Sequence, residues 1–575
     1  MHTKPHCIFL ILLFNTCVCI AQHKYGATLP WITYEAEQMH TNGQVLSPNY
    51  LPHFVETESS GQQAVRLNTQ DNFIEFASAS KANSMVIRYS MPDSKDGGGL
   101  NSVLDVYVNG KIARHCNTTS RYTWLYGKYP FVNEPSAGKP RHFYDEIRIK
   151  DLRIEKGNII RIQRRIEPGD TSSYCIIDLV DLENIAAPLQ APANSLSVKM
   201  FVNSNPTNDY TEAFQKCIAE AAVTGKTVWI PEGQFKITGN VTIPGNVTIQ
   251  GAGMWYSELV GDALLYTNAN KRVRFIGKGS NIHLSDFSIT GELTYRSDRE
   301  DNDGIVGSFG DSSTISRIWI DHTKVGMWIE NSTNLQVTGC RLRNTIADGI
   351  NFCVGMAYST ISNCTARGTG DDGFAIWPAA FGKQQFTPGH NLITHCTVQL
   401  PFLANGAAIY GGESNMIKAC SFTDITQGSA ILISTTFPTE NKAKGINNNF
   451  SGTTVIESCS IKTSGGFDHE WDWRAAIEIC TDKREIAGLE ISDIVIDRSL
   501  SNGLSVIAKN VNEHIGYLRN ATVENVYISN EGLVTKDKAG LFISPDAHGS
   551  LTIKKSKIPG IPKNSRNFII NLPEQ

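Results

Sequence analysis

The sequence predicts an all-β chain in which a right-handed parallel β-helix is preceded by an antiparallel β-sandwich. Two patterns carry that prediction. Residues 28–188 hold short alternating runs such as AVRL, FIEFA, SMVIRYS, SVLDVYVNG and YCIIDLVDL, separated by Asn, Gly, Pro and Asp breaks, with no helical period between them. Beyond residue 199 apolar fragments recur at steps of 23 to 39 residues. The 575 residues, 41% apolar and 19% charged, suffice for a large core. With 52 basic against 56 acidic residues, a net charge of −4 gives no polyanion-binding face, so no nucleic-acid partner is expected.

Residues 1–21 read as a secretory signal: Lys4 precedes the apolar stretch CIFLILLFNTCVCI, and small residues stand before Gln22. No later segment is long and apolar enough to span a bilayer, so a secreted or periplasmic monomer is expected after cleavage. Of the ten cysteines that remain, Cys116 and Cys175 are the one candidate disulfide.

Within 28–188 the alternation suits two packed antiparallel sheets, and the Asn-Gly of VYVNGK is a hairpin signal. The opening strand carries Glu35 and Glu37 two apart, hence on one face. With Asp178 from the last strand they are candidates for an oxygen-lined structural calcium site, the alternative being solvated edge carboxylates. The YEAE opening and the late IIDL strand resemble carbohydrate-binding modules of the β-sandwich type. Trp31, Trp124 and Tyr126 are candidate sugar-stacking or core residues.

The Ala/Pro-rich stretch 182–198 reads as a linker. Tyr210, Phe214, Cys217, Ile218 and Ala221 then follow helical spacing up to Gly225, which suits a helix capping the open end of a stacked β-array. The β-helix is expected over 199–575. Fragments beginning at Asp286, Arg317, Cys340, Cys364, Cys396, Cys420, Cys459, Asp493, Asn525 and Ser556 align as successive coils, with the cysteines in an interior ladder. A second column pairs a variable residue with glycine: Asp303-Gly304, Val325-Gly326, Asp348-Gly349, Asp372-Gly373, Asn405-Gly406, Gln427-Gly428, Arg474-Ala475, Asn502-Gly503 and Glu531-Gly532. Its first residue ranges over Asp, Arg and Glu, which an apolar core would not accept, so the column faces a groove or solvent.

Asp348 and Asp372 each lie eight residues after a ladder cysteine and 24 apart, one coil. Stacked coils would bring them to about 4.8 Å, with Asp371 pointing elsewhere. Like charges that close push at least one carboxyl to hold its proton, which places an acid beside bases as glycosidic cleavage requires. Opposed pointing of Asp371 would give the wider acid–base gap of an inverting enzyme. Turn-capping aspartates and a calcium site are the other readings of the three acids.

TIADGIN at 345–351 followed by GTGDDGFAIW at 368–377 resembles the catalytic region of the α-1,3-glucanases of glycoside hydrolase family 87, over roughly 200–575. The D…DD arrangement is also similar to family 49 dextranases and, more distantly, polygalacturonases. The family 87 resemblance implies an endo-acting, inverting hydrolase of α-1,3-glucan that needs no catalytic cofactor. It implies Asp371 as general acid and Asp348 with Asp372 as the carboxylates that hold and deprotonate water.

Around the acids, Trp377, five residues past Asp372, is a candidate sugar platform. Tyr410 and Glu413 align one coil later, and Asp303 two coils before Asp348 is a candidate sugar ligand. The insertion 461–474 places His469, Glu470, Trp471 and Trp473 as a candidate groove wall. His390 and His395 are the histidines a polygalacturonase-like groove would use, but an Arg-x-Lys pair for uronate carboxylates is missing from the coils that follow. The competing functions are a dextranase-like or polygalacturonase-like hydrolase, a calcium-dependent lyase, and a non-catalytic polysaccharide-binding protein. The close acidic triad speaks against the last, because clustered carboxylates cost stability.

Overall fold

The computed structural model describes residues 25–202, 208–469, 472–508, 515–535 and 539–573. The signal segment 1–21 lies outside them, as do Glu470 and Trp471. No helix among the described residues is long and apolar enough to cross a membrane.

The first part of the chain forms two antiparallel sheets. Strands Trp31–Glu35, Gln44–Val45, Val65–Leu67, Ser84–Ser90, Asp145–Ile149 and Cys175–Glu183 make a six-stranded sheet. Strands His40–Thr41, Phe73–Ala77, Asn101–Val108, Lys111–Thr119 and Ile159–Arg165 make a five-stranded one. Asn109 and Gly110, at φ 50° and 74°, turn the hairpin that the Asn-Gly pair predicts. Ile74, Ile87, Leu104, Ile160, Ile162 and Val180 share the core between the sheets. Cys116 and Cys175 are both buried free thiols in that core, so the expected disulfide is absent.

Every residue of Ser84–Ser90 and Cys175–Glu183 is buried, including Arg88, Asp178, Asp181 and Glu183. Simple alternation would expose half of them. The reason is that the outer face of this sheet lies against the second part of the chain. Arg341 holds Glu183 bidentately at 2.8 Å, Arg367 bonds Asp181 at 2.8 Å and Glu146 at 2.5 Å, and His322 bonds Asp145 at 2.7 Å. Burial alone would lower His322, but Asp145 beside it raises it to about 9. Val86 packs on Trp255 and Trp319, and Leu125 with Phe131 on Phe402 with Leu403. Of the candidate stacking residues, Trp31 is taken up at this interface under the Arg341 guanidinium at 4.7 Å, while Trp124 donates to Met91 O and Tyr126 to Asp93 within the sandwich.

From Ser195 to Asn571 the chain winds as a parallel β-helix of one 21-stranded and one 11-stranded sheet. Helix Thr211–Thr224 buries Phe214, Cys217, Ile218 and Ala221 on the first coils and ends at Gly225 in the left-handed region. The long sheet bends at a corner where each coil supplies one residue of positive φ, among them Asp286, Arg317, Asn363, His395 and Asn525 at 49–66°. The next residue points inward, giving a ladder of Phe287, Ile318, Cys340, Cys364, Cys396, Cys420, Cys459, Ile494 and Val526, all essentially without exposure. The sequence alignment therefore slips by one residue at Asp286, Arg317, Asp493 and Asn525. Those residues occupy the corner, and large apolar side chains take the cysteine slot at both ends of the ladder.

The variable-Gly column is also corrected at three coils. The partners of Gly406 and Gly503 run through Ser429-Ala430, Ala475-Ala476 and Ala539-Gly540, not Gln427-Gly428, Arg474-Ala475 and Glu531-Gly532. Alanine fills the glycine slot at two of these coils, so a search for glycine lands beside it.

Candidate active site

The 11-stranded sheet carries the site. Its outward column runs Ile276, Val306, Trp328, Asn351, Ala375 and Ala408 through parallel register. Just before these strands stands the column with Asp348 and Asp372. Gly326 N donates to Asp348 O and Gly349 N to Asp372 O, each at 3.0 Å, so the two aspartates stack on neighbouring coils. A Cβ on Gly349 would meet Gly373 O at 2.4 Å, so close stacking of these coils requires glycine there.

One carboxylate oxygen from each of Asp348, Asp371 and Asp372 lies within 4.8 Å of the others. The expectation that Asp371 points away across a groove is thus corrected. The tight turn of Thr369–Asp371, with Thr369 Oγ1 donating to Asp371 O at 3.0 Å, brings all three carboxyls together. Asn351 Nδ2 donates to Asp348 Oδ2 at 2.8 Å. Asp372 accepts from Asn405 Nδ2 at 2.8 Å and from the Tyr410 hydroxyl at 2.7 Å. Burial and the charges of Asp371 and Asp372 push the Asp348 carboxyl well above its ordinary range. Burial first, then Asp371, raise Asp372 to about 7 against the bonds from Tyr410 and Asn405.

Asp371 is the most open of the three, its side chain 21% exposed, and it meets Arg296 Nη2 at 2.6 Å. Arg296 is itself buried and uses all five N–H groups. Its other acceptors are Asp298 Oδ1 at 3.1 Å, Ile346 O at 3.3 Å, Gly370 O at 2.9 Å and the Tyr129 hydroxyl at 3.1 Å. Three convergent carboxylates also meet the distance condition for a cation. Here the guanidinium already supplies the positive charge.

The triad opens into a cavity of about 740 Å³. Trp328, Trp377, Phe381, Tyr410, Phe437 and Tyr129 give it aromatic walls, and Arg299, Glu330 and Lys324 give it polar rims. Trp377 stands where a sugar platform was expected, its Nε1 donating to Pro438 O at 3.2 Å. Tyr410 also lines the cavity, but its hydroxyl is engaged by Asp372 and it is 5% exposed, so it holds a carboxylate as well as a wall.

Other expected ligands stand elsewhere. Asp303 is fully buried, its carboxylate turned away from the cavity to accept from the Tyr266 hydroxyl at 2.7 Å and Lys324 N at 2.6 Å. Glu413 sits beyond the groove strand at the rear turn, 3.8 Å from His390, outside the cavity wall. His390 and His395 are positive-φ corner residues away from the groove. Trp473 packs on Phe467 and leaves the cavity to others. His469 comes nearer: its Nε2 is 3.9 Å from Asp371 Oδ2, and its Nδ1 is bonded to Asp468.

Tyr129, Asn351 and Asn405 were not expected in the site, and Arg296, which stands out in the charged insertion before Gly304, had no assigned partner. Asn405 had a usable signal, since it stands in the same column one coil past Asp372. Tyr129 had none, because it comes from the other domain.

The calcium candidates form a separate cluster. Glu35 ends its strand and Glu37 lies in the 3-10 turn Ala36–Gln38, so they do not share a strand face as expected. Both still approach Asp178, which is paired with Arg88 and accepts from Ser60 N at 2.8 Å. Burial and neighbouring carboxylates raise Glu35 to about 8 and Glu37 to about 7. Asp424 of the β-helix joins them, raised by burial to about 6. Glu35 Oε2, Glu37 Oε2 and Gln62 Oε1 are buried without a protein partner, which leaves oxygen acceptors for a cation, but among the described residues these carboxylates do not converge as those of the Asp348 triad do.

Residues 28–185 match the family model described as α-1,3-glucanase catalytic domain D1, and residues 201–541 that described as catalytic domain D2. The crystal structure of the catalytic unit of a thermostable glycoside hydrolase family 87 α-1,3-glucanase from Streptomyces thermodiastaticus strain HF3-3 is 28% identical, with TM-score 0.78 over 95% of this chain and 96% of that one. A family 87 α-1,3-glucanase catalytic domain in complex with nigerose is 25% identical, with TM-score 0.76 over 96% of this chain and 99% of that one. The Agl-KA catalytic domain, 24% identical, shares the fold with TM-score 0.82 over 98% and 100% of the two chains. Among curated proteins, the pre-neck appendage protein of Bacillus phage B103 is 27% identical over 203 residues, covering 31% of this chain. The match spans about a fifth (21%) of that protein's length.

Proposed function

From a chain that belongs to the α-1,3-glucanase catalytic-domain family, glycoside hydrolase family 87, and is a glycoside hydrolase, we propose an endo-acting, inverting hydrolase of α-1,3-glucan. The carrying observation is the convergence of Asp348, Asp371 and Asp372 within 4.8 Å at the mouth of an aromatic-walled cavity. Asp371, the most open, protonates the glycosidic oxygen. Asp348 and Asp372 hold and deprotonate the attacking water. Burial and mutual repulsion keep a proton within the carboxyl cluster near neutral pH; in the reactive state that proton sits on Asp371, which leaves an ionised carboxylate at Asp348 or Asp372 to take the proton of the water. Arg296 then stabilises the carboxylate that remains.

The substrate class follows the relative solved with nigerose. The column residues Ile276, Val306, Trp328 and Asn351 line the cavity over roughly 14 Å at the strand spacing, and Trp377 and Tyr410 continue its wall on the next two coils, which is longer than a disaccharide and supports internal cleavage. The chain acts as a secreted or periplasmic monomer, with calcium held structurally by Glu35, Glu37 and Asp178.

Asp371→Asn tests the acid role. It lowers turnover of α-1,3-glucan by a factor of about 10³ or more while the melting temperature stays near wild type. Wild-type turnover by this variant rules the assignment out. NMR of the first products separates the stereochemistry: an inverting enzyme releases β anomers from the α-linked chain. A second reading has a specific observation behind it. The carboxyl separation is shorter than the gap usual for inversion, which favours a double displacement with retained configuration. Initial α anomers select that reading.

A further inference from the structure

One wall of the cavity is built by a residue of the sandwich. Tyr129 lies between the short strands Leu125–Tyr126 and Pro140–Arg141 and is 40% exposed. The loop is anchored by Phe131, which is buried with Leu125 against Phe402 and Leu403 of the β-helix and meets the Tyr129 ring edge-on at 5.9 Å. So fixed, Tyr129 faces the cavity that holds the triad. Its ring centroid lies 4.9 Å from the Arg296 guanidinium and 5.5 Å from the His469 ring. Its hydroxyl accepts from Arg296 Nη2 at 3.1 Å and donates to Asp298.

The Nη2 group that bonds Tyr129 is the one that bonds Asp371 at 2.6 Å. One of its hydrogens goes to each. Asp298 accepts from both Tyr129 and Arg296 Nε and closes the ring of contacts. Without the tyrosine hydroxyl, one N–H of a buried guanidinium loses its acceptor, and the direction in which Arg296 presents Nη2 to Asp371 is no longer fixed. The ring has the flat amphipathic surface that sugar faces pack against, and it lines the same cavity as the β-helix aromatics.

We propose that Tyr129 is a substrate-binding and positioning residue of the glucan hydrolase site: its ring forms a sugar subsite wall, and its hydroxyl fixes Arg296 against Asp371. This rests on the reading of the triad given above. The sandwich then takes part in the reaction through one side chain.

Tyr129→Ala and Tyr129→Phe in the full chain test it, by steady-state hydrolysis of soluble α-1,3-gluco-oligosaccharides alongside thermal melting. Tyr129→Ala is expected to raise KM about tenfold, the scale of one lost aromatic contact, and to lower kcat. Tyr129→Phe keeps the ring, so KM returns to near wild type while kcat stays down about tenfold, the scale of one lost hydrogen bond to a charged group. A merely structural loop residue would change melting and leave this split unseen. Wild-type KM in Tyr129→Ala overturns the subsite wall, and wild-type kcat in Tyr129→Phe overturns the positioning role. If the unaltered protein releases no sugar from these oligosaccharides, the parent reading of the site fails instead.

Discussion

Asp372 is enclosed by Asn405 and Tyr410, yet its carboxyl stands at about 7 instead of an ordinary 3.8, because burial and Asp371 penalise its charge. That fixes the sign of a stability effect. Between about pH 4 and 7 the unfolded chain releases this proton while the folded chain keeps it, so folding stability falls as pH rises through that interval. Asp372→Asn removes the penalty and retains a group able to bond both neighbours. Its stability at pH 7 is expected to exceed wild type by roughly 2–4 kcal/mol at most, with the gain shrinking towards pH 4. Urea melts at the two pH values measure it, and an equal gain at both would show that the carboxyl is not the source. The three aspartates were legible in the sequence because a coil of 24 residues fixes their stacking. Arg296 was not legible as their partner. It reaches Asp371 from an insertion, and no periodicity links an insertion to a coil.

Coil register decides whether those side chains meet. The strands around the site are only three residues long, Ile350–Phe352 and Phe374–Ile376, so each coil is positioned by few ladder bonds and by how closely its neighbours can approach. Gly349 allows that approach. Gly349→Ala places a methyl 2.4 Å from a backbone oxygen of the next coil, which cannot swing away as a side chain can. A loss of roughly 2–4 kcal/mol in urea unfolding is expected. With Asp348 displaced from Asp372, glucan hydrolysis should fall about a hundredfold. A variant that melts lower but keeps full activity would separate coil spacing from catalysis. At this scale sequence and structure differ by single residues. The cysteine ladder was visible, but its ends at Phe287, Ile318, Ile494 and Val526 were hidden because the polar corner residues before them looked like the start of the repeat.

Across the whole molecule, the two domains are joined by charged groups that an isolated binding module would show to solvent. Glu183, Asp181, Glu146 and Asp145 face Arg341, Arg343, Arg367 and His322 across the interface. Alternation marked those sandwich strands as half-exposed, and only the partner domain explains why they are wholly buried. The proposed calcium site lies at the same junction. Glu35, Glu37 and Asp178 come from the sandwich, and Asp424 comes from the β-helix, where Gly61 N donates to it at 3.2 Å. A cation there binds the folded chain and has no preformed site in the unfolded one, so it stabilises by mass action. Millimolar calcium is expected to raise the melting temperature by about 3 °C or more, and a chelator to reverse it. Glu35 at about 8 and Glu37 at about 7 hold protons that the cation must displace, so the calcium response should be larger at pH 8 than at pH 5.5. Glu37→Gln removes one ligand charge and should flatten the response at both. A chelator-insensitive melting temperature at pH 8 would leave these carboxyls as packing groups that hold no cation.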